Sequence, residues 1–159
     1  MQGYKYTVVP AEPKHIWELA PNLEKAQIDE IYQADGSTPH EALAWPLSQP
    51  EAVNFAGLNE HGKCIAMFGV RPTHVPNSGT IYFLNSDELK NRPLTVVKMC
   101  LKYLPVLCKD YDLLHNFVDT RYTQARKWLK LLGFKEQMIT TKLMSGNVPF
   151  VLMTYEVNK

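Results

Sequence analysis

The sequence predicts a mixed α/β domain with a mostly antiparallel central sheet of about seven strands, flanked by about four helices. Two observations lead to this fold class. Strand-like and helix-like patterns follow one another as strand, two helices, three-strand meander, long helix, strand, helix and a final strand pair. Residues 116–134 combine a strand, a tight turn and an amphipathic helix ended by Gly133. A chain of 159 residues is long enough for one core, and we predict one domain over residues 1–159.

The first strand is predicted from Tyr4 to Val9, because β-favouring residues alternate there until Pro10. Residues 16–20 and 23–34 then show apolar faces at helical spacing, and Asp35-Gly36 ends the second face. Three prolines in residues 37–50 predict a loop with a single helical turn over residues 41–44. We expect this loop on the substrate side.

Residues 53–58 and 64–70 are two β-favouring runs joined by a turn that contains Gly62, which predicts a hairpin. Residues 79–85 complete a three-strand meander. Pro93 suits the first position of the long helix, because its missing N–H costs nothing there. Pro105 predicts a kink or an end near Leu104, since proline removes an internal hydrogen bond.

Phe117 and Val118 belong to the fifth predicted strand, and Thr123 is the predicted N-cap of the helix that follows it. The buried stripe of this helix is predicted to consist of Ala125, Trp128, Leu129 and Leu132. Gly133 supplies the left-handed residue that ends such a helix. The closing strand pair is predicted over residues 136–143 and 150–157, with a turn at residues 145–147.

Composition excludes several classes of function. The net charge is +1 with both signs interspersed, so we expect neither a nucleic-acid partner nor binding to an anionic membrane surface. The N-terminus lacks signal-peptide character and no apolar run is long enough to span a membrane, which predicts a cytoplasmic protein. The three cysteines are predicted to be buried thiols, and no spacing of Cys or His indicates a metal site.

The strand and helix that end in Leu132-Gly133-Phe134 resemble the C-terminal half of the GNAT N-acyltransferase fold, and the order of elements agrees with that fold over nearly the whole chain. The resemblance implies an acyl-CoA-dependent N-acetyltransferase with acetyl-CoA as the donor. It places the donor in a splay between the fourth and fifth strands. A free amine of a small molecule or a protein then attacks the thioester directly.

The resemblance also implies residues for binding the donor. The backbone amide of Phe83 or Leu84 polarises the thioester carbonyl, and the pyrophosphate lies at the start of the long helix. The residues assigned to the pyrophosphate are Lys90, Asn91, Arg92, Leu94 and Thr95. The family loop there is rich in Gly, whereas residues 85–94 contain none and include two acids. A solvated loop before a purely structural helix is therefore the alternative interpretation.

The family's catalytic tyrosine is displaced in this chain. Within the family pattern Asn-x-x-Ala-x-x-x-Tyr, Ala125 matches the Ala, Tyr122 stands at the Asn position and Leu129 at the Tyr position. Tyr122 is the candidate acid that protonates the leaving thiolate, and capping of the core is the alternative. Glu41 is the candidate general base. Other candidates for that role, each of which is also an ordinary surface residue, are His40, His74 and Tyr155.

Three segments also resemble a narrower group, the small GNAT-like proteins of short-tailed bacteriophages. These segments are residues 80–87, residues 111–118 and the Trp-Leu-Lys-Leu-Leu-Gly helix end. This resemblance implies an alternative to catalysis, in which the protein acts in virion assembly or binds a host protein, in the host cytoplasm or the virion. An open cleft between the fourth and fifth strands discriminates between the two, because a silent binding protein has no need of one.

Overall fold

The computed structural model describes residues 4–140 and 148–157, and in these residues seven strands form one sheet. The strands are β1 (Tyr6–Pro10), β2 (Val53–Asn59), β3 (Cys64–Pro72), β4 (Ser78–Asn85), β5 (Leu113–Asp119), β6 (Lys135–Thr140) and β7 (Phe150–Glu156). Five α-helices accompany them in the described residues: α1 (Pro13–Leu19), α2 (Lys25–Asp35), α3 (Pro39–Ser48), α4 (Pro93–Cys108) and α5 (Thr123–Leu132). The strand order is β1-β2-β3-β4-β5-β7-β6, and every pair is antiparallel except β4–β5.

Each face of the sheet carries its own core. Side chains of α4 and α5 pack on one face around Phe68, which is 1% exposed, while α1 and α3 pack on the other around Met67. Phe68 and Met67 are neighbours on β3 and point to opposite faces, as the pleat of a strand requires. The sheet is therefore covered on both sides, as its nearly continuous apolar central strand indicates.

The only parallel pair in the described sheet, β4–β5, is incomplete. Ser78, Gly79 and Thr80 pair with residues 113–115, and no pairing continues beyond them. The remaining five residues of β4 and four residues of β5 diverge, so the sheet opens at its centre. β5 is held on its other edge by β7 along its whole length.

One helix prediction is wrong, and one of the two alternatives predicted at Pro105 is excluded. Residues 39–48 form the helix α3 instead of a loop with one turn, because Thr38 caps its first turn and Pro39 occupies the first helical position. Pro105 does not end α4, which continues to Cys108. Burial of Leu107 and Cys108 in the core offsets the hydrogen bond that the proline removes.

The strand–helix unit at β5 and α5 matches its prediction closely. Trp128, Leu129 and Leu132 are each 8% exposed, and Gly133 adopts φ 107° in the left-handed region. The helix begins at Thr123 itself, so the N-cap position belongs to Tyr122. The predicted turn at 145–147, and the end of the strand predicted to reach residue 143, lie outside the described residues.

Two predictions of burial meet different outcomes. Trp17, which belongs to the apolar face predicted within residues 16–20, is 71% exposed, and its ring centroid lies 4.6 Å from that of His40. Cys64 and Cys108 are buried as predicted, and Cys100 is partly buried. None of the helices in residues 4–140 and 148–157 combines the length and apolar character that crossing a membrane requires.

Candidate functional site

The helix α2 lies across the open end of the sheet and is attached to β4 at its start. The backbone N–H of Glu24 donates to the carbonyl of Asn85, at 3.0 Å, and the backbone N–H of Asn85 donates to Gln27 Oε1, at 2.8 Å. Gln27 Nε2 also donates to Asn85 Oδ1 at 2.6 Å. Both polar groups of the last β4 residue are therefore satisfied by the helix and not by β5.

A second group of contacts attaches the middle of α2 to β5. Glu30 Oε2 accepts a hydrogen bond of 3.0 Å from the backbone N–H of Asp119, the last residue of β5. Arg121 Nη2 pairs with Asp29 at 2.6 Å and with Asp119 at 2.7 Å. Because α2 bonds to the ends of both strands, it holds β4 and β5 apart at the point where their ladder stops.

Two cavities meet at this opening. A narrow slot of about 80 Å³ runs between β4, β5, α4 and α5 and is lined mainly by apolar side chains. A wider cavity of about 560 Å³ lies on the opposite face, between the sheet and the helices α2 and α3. Both are lined by the same five residues, which are Glu30, Ile81, Tyr82, Phe83 and Asn116. One molecule in the slot and another in the cavity would meet at these residues.

The edge of β4 presents a free backbone amide to the opening. Ser86 N donates to Ile65 O and Thr73 N donates to Ser78 O, so the even-numbered residues of β4 direct their backbone groups to β3. In an antiparallel pair the intervening residues direct theirs to the other edge. The N–H of Phe83 therefore faces the opening beyond the last β4–β5 pair, whereas the N–H of Leu84 faces β3.

Glu30 is the carboxylate residue that lines both cavities, and burial raises its pKa to about 7, against the hydrogen bond from Asp119 N, which lowers it. A base with a pKa near 7 is suited to take a proton at neutral pH. We did not select Glu30 from the sequence, although it follows Gln27 by three residues and so continues the inward stripe of α2.

Tyr122, the acid predicted from the sequence, lies at the slot. Its hydroxyl is 3.4 Å from Gln27 Nε2, and burial together with the charge of Glu24 raises its pKa. Burial also raises the pKa of Glu24, against the hydrogen bond that its carboxylate accepts from Asn85 Nδ2 at 3.2 Å. A tyrosine in such surroundings keeps its proton at neutral pH and is available as a donor. Its catalytic role stays a prediction.

The other candidate bases occupy different positions. Glu41 lines the wider cavity, but its carboxylate accepts the backbone N–H of Thr38 in the capping box of α3, and this bond lowers its pKa. A lowered pKa makes the carboxylate a weaker base. His40 packs on Trp17 and Tyr155 packs on Phe134, with ring centroids 5.3 Å apart. In the described residues no group of three or more potential metal ligands occurs.

The segment assigned to the pyrophosphate contains a short 3-10 helix over Asp87–Leu89, capped by Ser86. The N–H groups of Leu89, Lys90 and Arg92 are used within this turn, in bonds of 3.0 to 3.1 Å. Thr95 N also bonds to Arg92 O. Few amides therefore remain for an anion, and the nest of free N–H groups that a Gly-rich loop provides is absent from residues 86–95.

Some side chains of this segment are engaged in contacts, and others are exposed. The Arg92 guanidinium lies 4.7 Å from the centre of the Tyr4 ring, whose hydroxyl bonds to Glu88. Leu94 is 69% exposed at the start of α4, and Lys90 and Asn91 are exposed beside it. Binding of a pyrophosphate at this segment would therefore depend on exposed side chains. The five assignments at this segment stay predictions.

No protein-family model and no curated protein sequence matches the chain. Solved structures do match it over almost its full length. A GCN5-related N-acetyltransferase from Kribbella flavida has a TM-score of 0.69 at 15% identity, covering 96% of this chain and 98% of its own. The spermidine N-acetyltransferase of Vibrio cholerae, solved with CoA and spermine, has a TM-score of 0.71 at 11% identity, covering 95% of each chain.

A third structure, a GNAT-family acetyltransferase from Streptococcus pneumoniae, has a TM-score of 0.64 at 13% identity and covers 97% of this chain and 100% of its own. Identities this low establish the fold and leave the activity open. The chain has the GNAT fold, and the predicted fold class is confirmed. The number of helices in the described residues is five, one more than predicted, because residues 39–48 are helical.

Proposed function

We propose that the protein transfers an acetyl group from acetyl-CoA to an amine, with the donor's thioester in the opening between β4 and β5 and the acceptor in the wider cavity. The observation that supports this most is that slot and cavity meet at Phe83 and Glu30. A free backbone donor and a carboxylate with a pKa of about 7 thus adjoin the same point. A silent protein has no need to keep that combination.

In the proposed reaction the Phe83 N–H donates a hydrogen bond to the thioester oxygen, where negative charge develops. Glu30 accepts the proton that the attacking nitrogen loses as its bond to the carbonyl carbon forms. The carbon–sulfur bond breaks, and Tyr122 gives a proton to the departing sulfur. After the products leave, Glu30 releases its proton to solvent and the Tyr122 hydroxyl takes up a proton from solvent. The number of protons is therefore conserved over a turnover.

Tyr122→Phe tests the proposed acid. We expect kcat to fall by roughly 100-fold, because a positioned general acid contributes about that much, while KM changes little. The measurement is thiol release from acetyl-CoA in the presence of a panel of primary amines. Tyr32→Phe is the matched control, since its ring is 59% exposed on the outer side of α2.

Absence of thiol release above spontaneous hydrolysis, with every amine and with folded wild-type protein, would reject the proposed reaction. Unchanged kcat in Tyr122→Phe would instead remove this residue from the mechanism.

A second function is favoured by the loop before α4. Two acids in a 3-10 turn stand where a Gly-rich loop would bind pyrophosphate, and Arg92 is turned to Tyr4. These features suit a GNAT-fold protein that lost its donor and binds a partner instead. The resemblance to phage proteins makes a virion or host protein the partner in that case. Such a protein would bind no acetyl-CoA.

A further inference from the structure

One arginine of the wider cavity has no hydrogen-bond or ion-pair partner among the described residues. Arg71 lies on β3, opposite Thr80 of β4, and its side chain lines the cavity without lining the slot. Its guanidinium is partly buried and forms no hydrogen bond or ion pair with the described residues. Asp35 attracts it electrostatically without contact. The five donor N–H groups of this fixed charge are thus not satisfied by the described residues.

The other arginines show what this chain does with a guanidinium elsewhere. Of the four arginines in the sequence, Arg121 pairs with Asp29 and Asp119, and Arg126 pairs with Glu136. Arg92 lies over an aromatic ring. Within residues 4–140 and 148–157, Arg71 contacts neither a carboxylate nor an aromatic ring. Because a partly buried cation without a partner is costly, a ligand that supplies an anion is favoured there.

Besides Glu30 at the junction, the acids that line the same cavity are Asp35 and Glu41, and both are engaged in local structure. Asp35 Oδ1 accepts the N–H of Ser37 at 2.9 Å, and Glu41 Oε1 accepts the N–H of Thr38 at 3.0 Å. Both bonds stabilise the chain between α2 and α3. His115 is neighbour to Arg71, and burial together with the charge of Arg71 lowers its pKa, so it adds no positive charge at neutral pH. Arg71 is therefore the site for a ligand anion.

The two ends of the cavity have different chemistry. At the junction with the slot lies Glu30, which suits an amine, and Arg71 lies away from that junction. Phe83 and Thr80 are three residues apart on β4, and at about 3.3 Å per residue the backbone positions differ by about 10 Å. The side chains of Glu30 and Arg71 extend from the backbone, so the distance that a ligand must span between them is shorter than this. Apolar groups of Trp45, Phe117 and other residues also line the cavity.

We propose that the acceptor is a small amine that also carries a carboxylate, as an amino acid does, and that Arg71 binds this carboxylate while the amine points to the opening. This inference rests on the proposed function for the direction of the amine. Binding of the carboxylate by Arg71 does not depend on catalysis. A guanidinium binds a carboxylate through two parallel hydrogen bonds, which also fixes the orientation of the ligand.

The test compares acceptors that differ only in the carboxylate. The pairs are lysine with cadaverine and phenylalanine with phenethylamine, each assayed for acetyl transfer in wild type, Arg71→Gln and Arg71→Lys. Wild type should prefer the member with the carboxylate. Arg71→Gln should lower kcat/KM for that member by about 10- to 100-fold, as loss of a charged hydrogen-bonded pair does, and leave the other member unchanged. Arg71→Lys should restore part of the loss.

Lys98→Gln is the control, because it removes one exposed positive charge from α4 on the other face of the sheet. The second readout is calorimetric binding of each compound to the protein without acetyl-CoA. Equal effects of Arg71→Gln on both members of a pair, or preference of wild type for the decarboxylated amine, would overturn the inference. Carboxylate-selective binding lost in Arg71→Gln, without transfer to any amine, would support the Arg71 site and reject the proposed reaction.

Discussion

Glu30→Gln is expected to lower kcat/KM for acetyl transfer by roughly 100-fold or more, because a positioned general base contributes about that factor. The residue lies where the slot and the wider cavity meet, and burial raises its pKa to about 7. A base must be ionised to act, so wild-type kcat/KM should rise with pH through about 7 and then level off. In Glu30→Gln this inflection disappears, and any inflection at higher pH belongs to the amine.

Measuring Tm as a function of pH distinguishes the loss of a catalytic base in Glu30→Gln from unfolding of the variant. Because the pKa of Glu30 is raised on folding, the native protein keeps a proton that the unfolded chain has released, and stability falls as pH rises from the ordinary carboxylate range to about 7. Glu30→Gln has no carboxyl group to titrate at this position, so it does not lose stability in this pH range. Its amide oxygen still accepts the hydrogen bond from Asp119 N. Its Tm should therefore improve relative to wild type as pH rises.

Glu60→Gln is the matched control, since it makes the same substitution at an exposed carboxylate in the turn between β2 and β3, away from the opening. Its pH profile should keep the inflection near that of wild type. A Glu30→Gln enzyme with wild-type kcat/KM and an unchanged pH profile would exclude Glu30 as the base.

Phe68→Ala is expected to lower the free energy of unfolding by about 3–5 kcal/mol, the range for aromatic truncation in a core. Phe68 is 1% exposed, and its ring lies 5.5 Å from Phe55, 5.5 Å from Phe83 and 5.7 Å from Tyr103. A loss of that size is a large part of the roughly 5–15 kcal/mol that stabilises a typical domain. Chemical denaturation at constant m-value measures it.

Phe117→Ala provides the comparison for Phe68→Ala, because its ring is 38% exposed and less apolar surface leaves the core when it is removed. It should cost clearly less free energy of unfolding. Similar losses for the two variants would show that Phe68 is not the centre of the core. In Phe68→Ala we also expect weaker binding of acetyl-CoA, since the ring supports Phe83 at the opening.

The order of strands and helices could be predicted from the sequence because it depends on local patterns of residues. The stripe of α5 and the left-handed Gly133 are local, and both are confirmed. Residues 39–48 show the limit of such reasoning, since three prolines suggested a loop. Pro39 occupies a first helical position and Pro46 lies in the last turn, where tertiary packing of Leu43, 0% exposed, outweighs the missing hydrogen bond.

The candidate site was harder to predict because its chemistry arises from contacts distant in sequence. The raised pKa of Glu30 depends on burial against the end of β5, 89 residues away along the chain. The one indication in the sequence was that Glu30 follows Gln27 by three residues, which places both on the same face of α2. The choice between Phe83 and Leu84 required the register of β3 and β4, which no local pattern contains. That Arg71 meets no partner in the described part of the chain is likewise a property of the fold.

The most direct test of the proposed function is a calorimetric titration with acetyl-CoA of wild type, Ala125→Phe and Lys127→Phe. Ala125 lines the slot on α5, so a phenyl ring there would fill it, whereas Lys127 is exposed on the same helix. We expect saturable binding to wild type and Lys127→Phe, and loss of binding to folded Ala125→Phe. No binding to wild type at millimolar acetyl-CoA, or equal binding to Ala125→Phe, would contradict a donor site between β4 and β5.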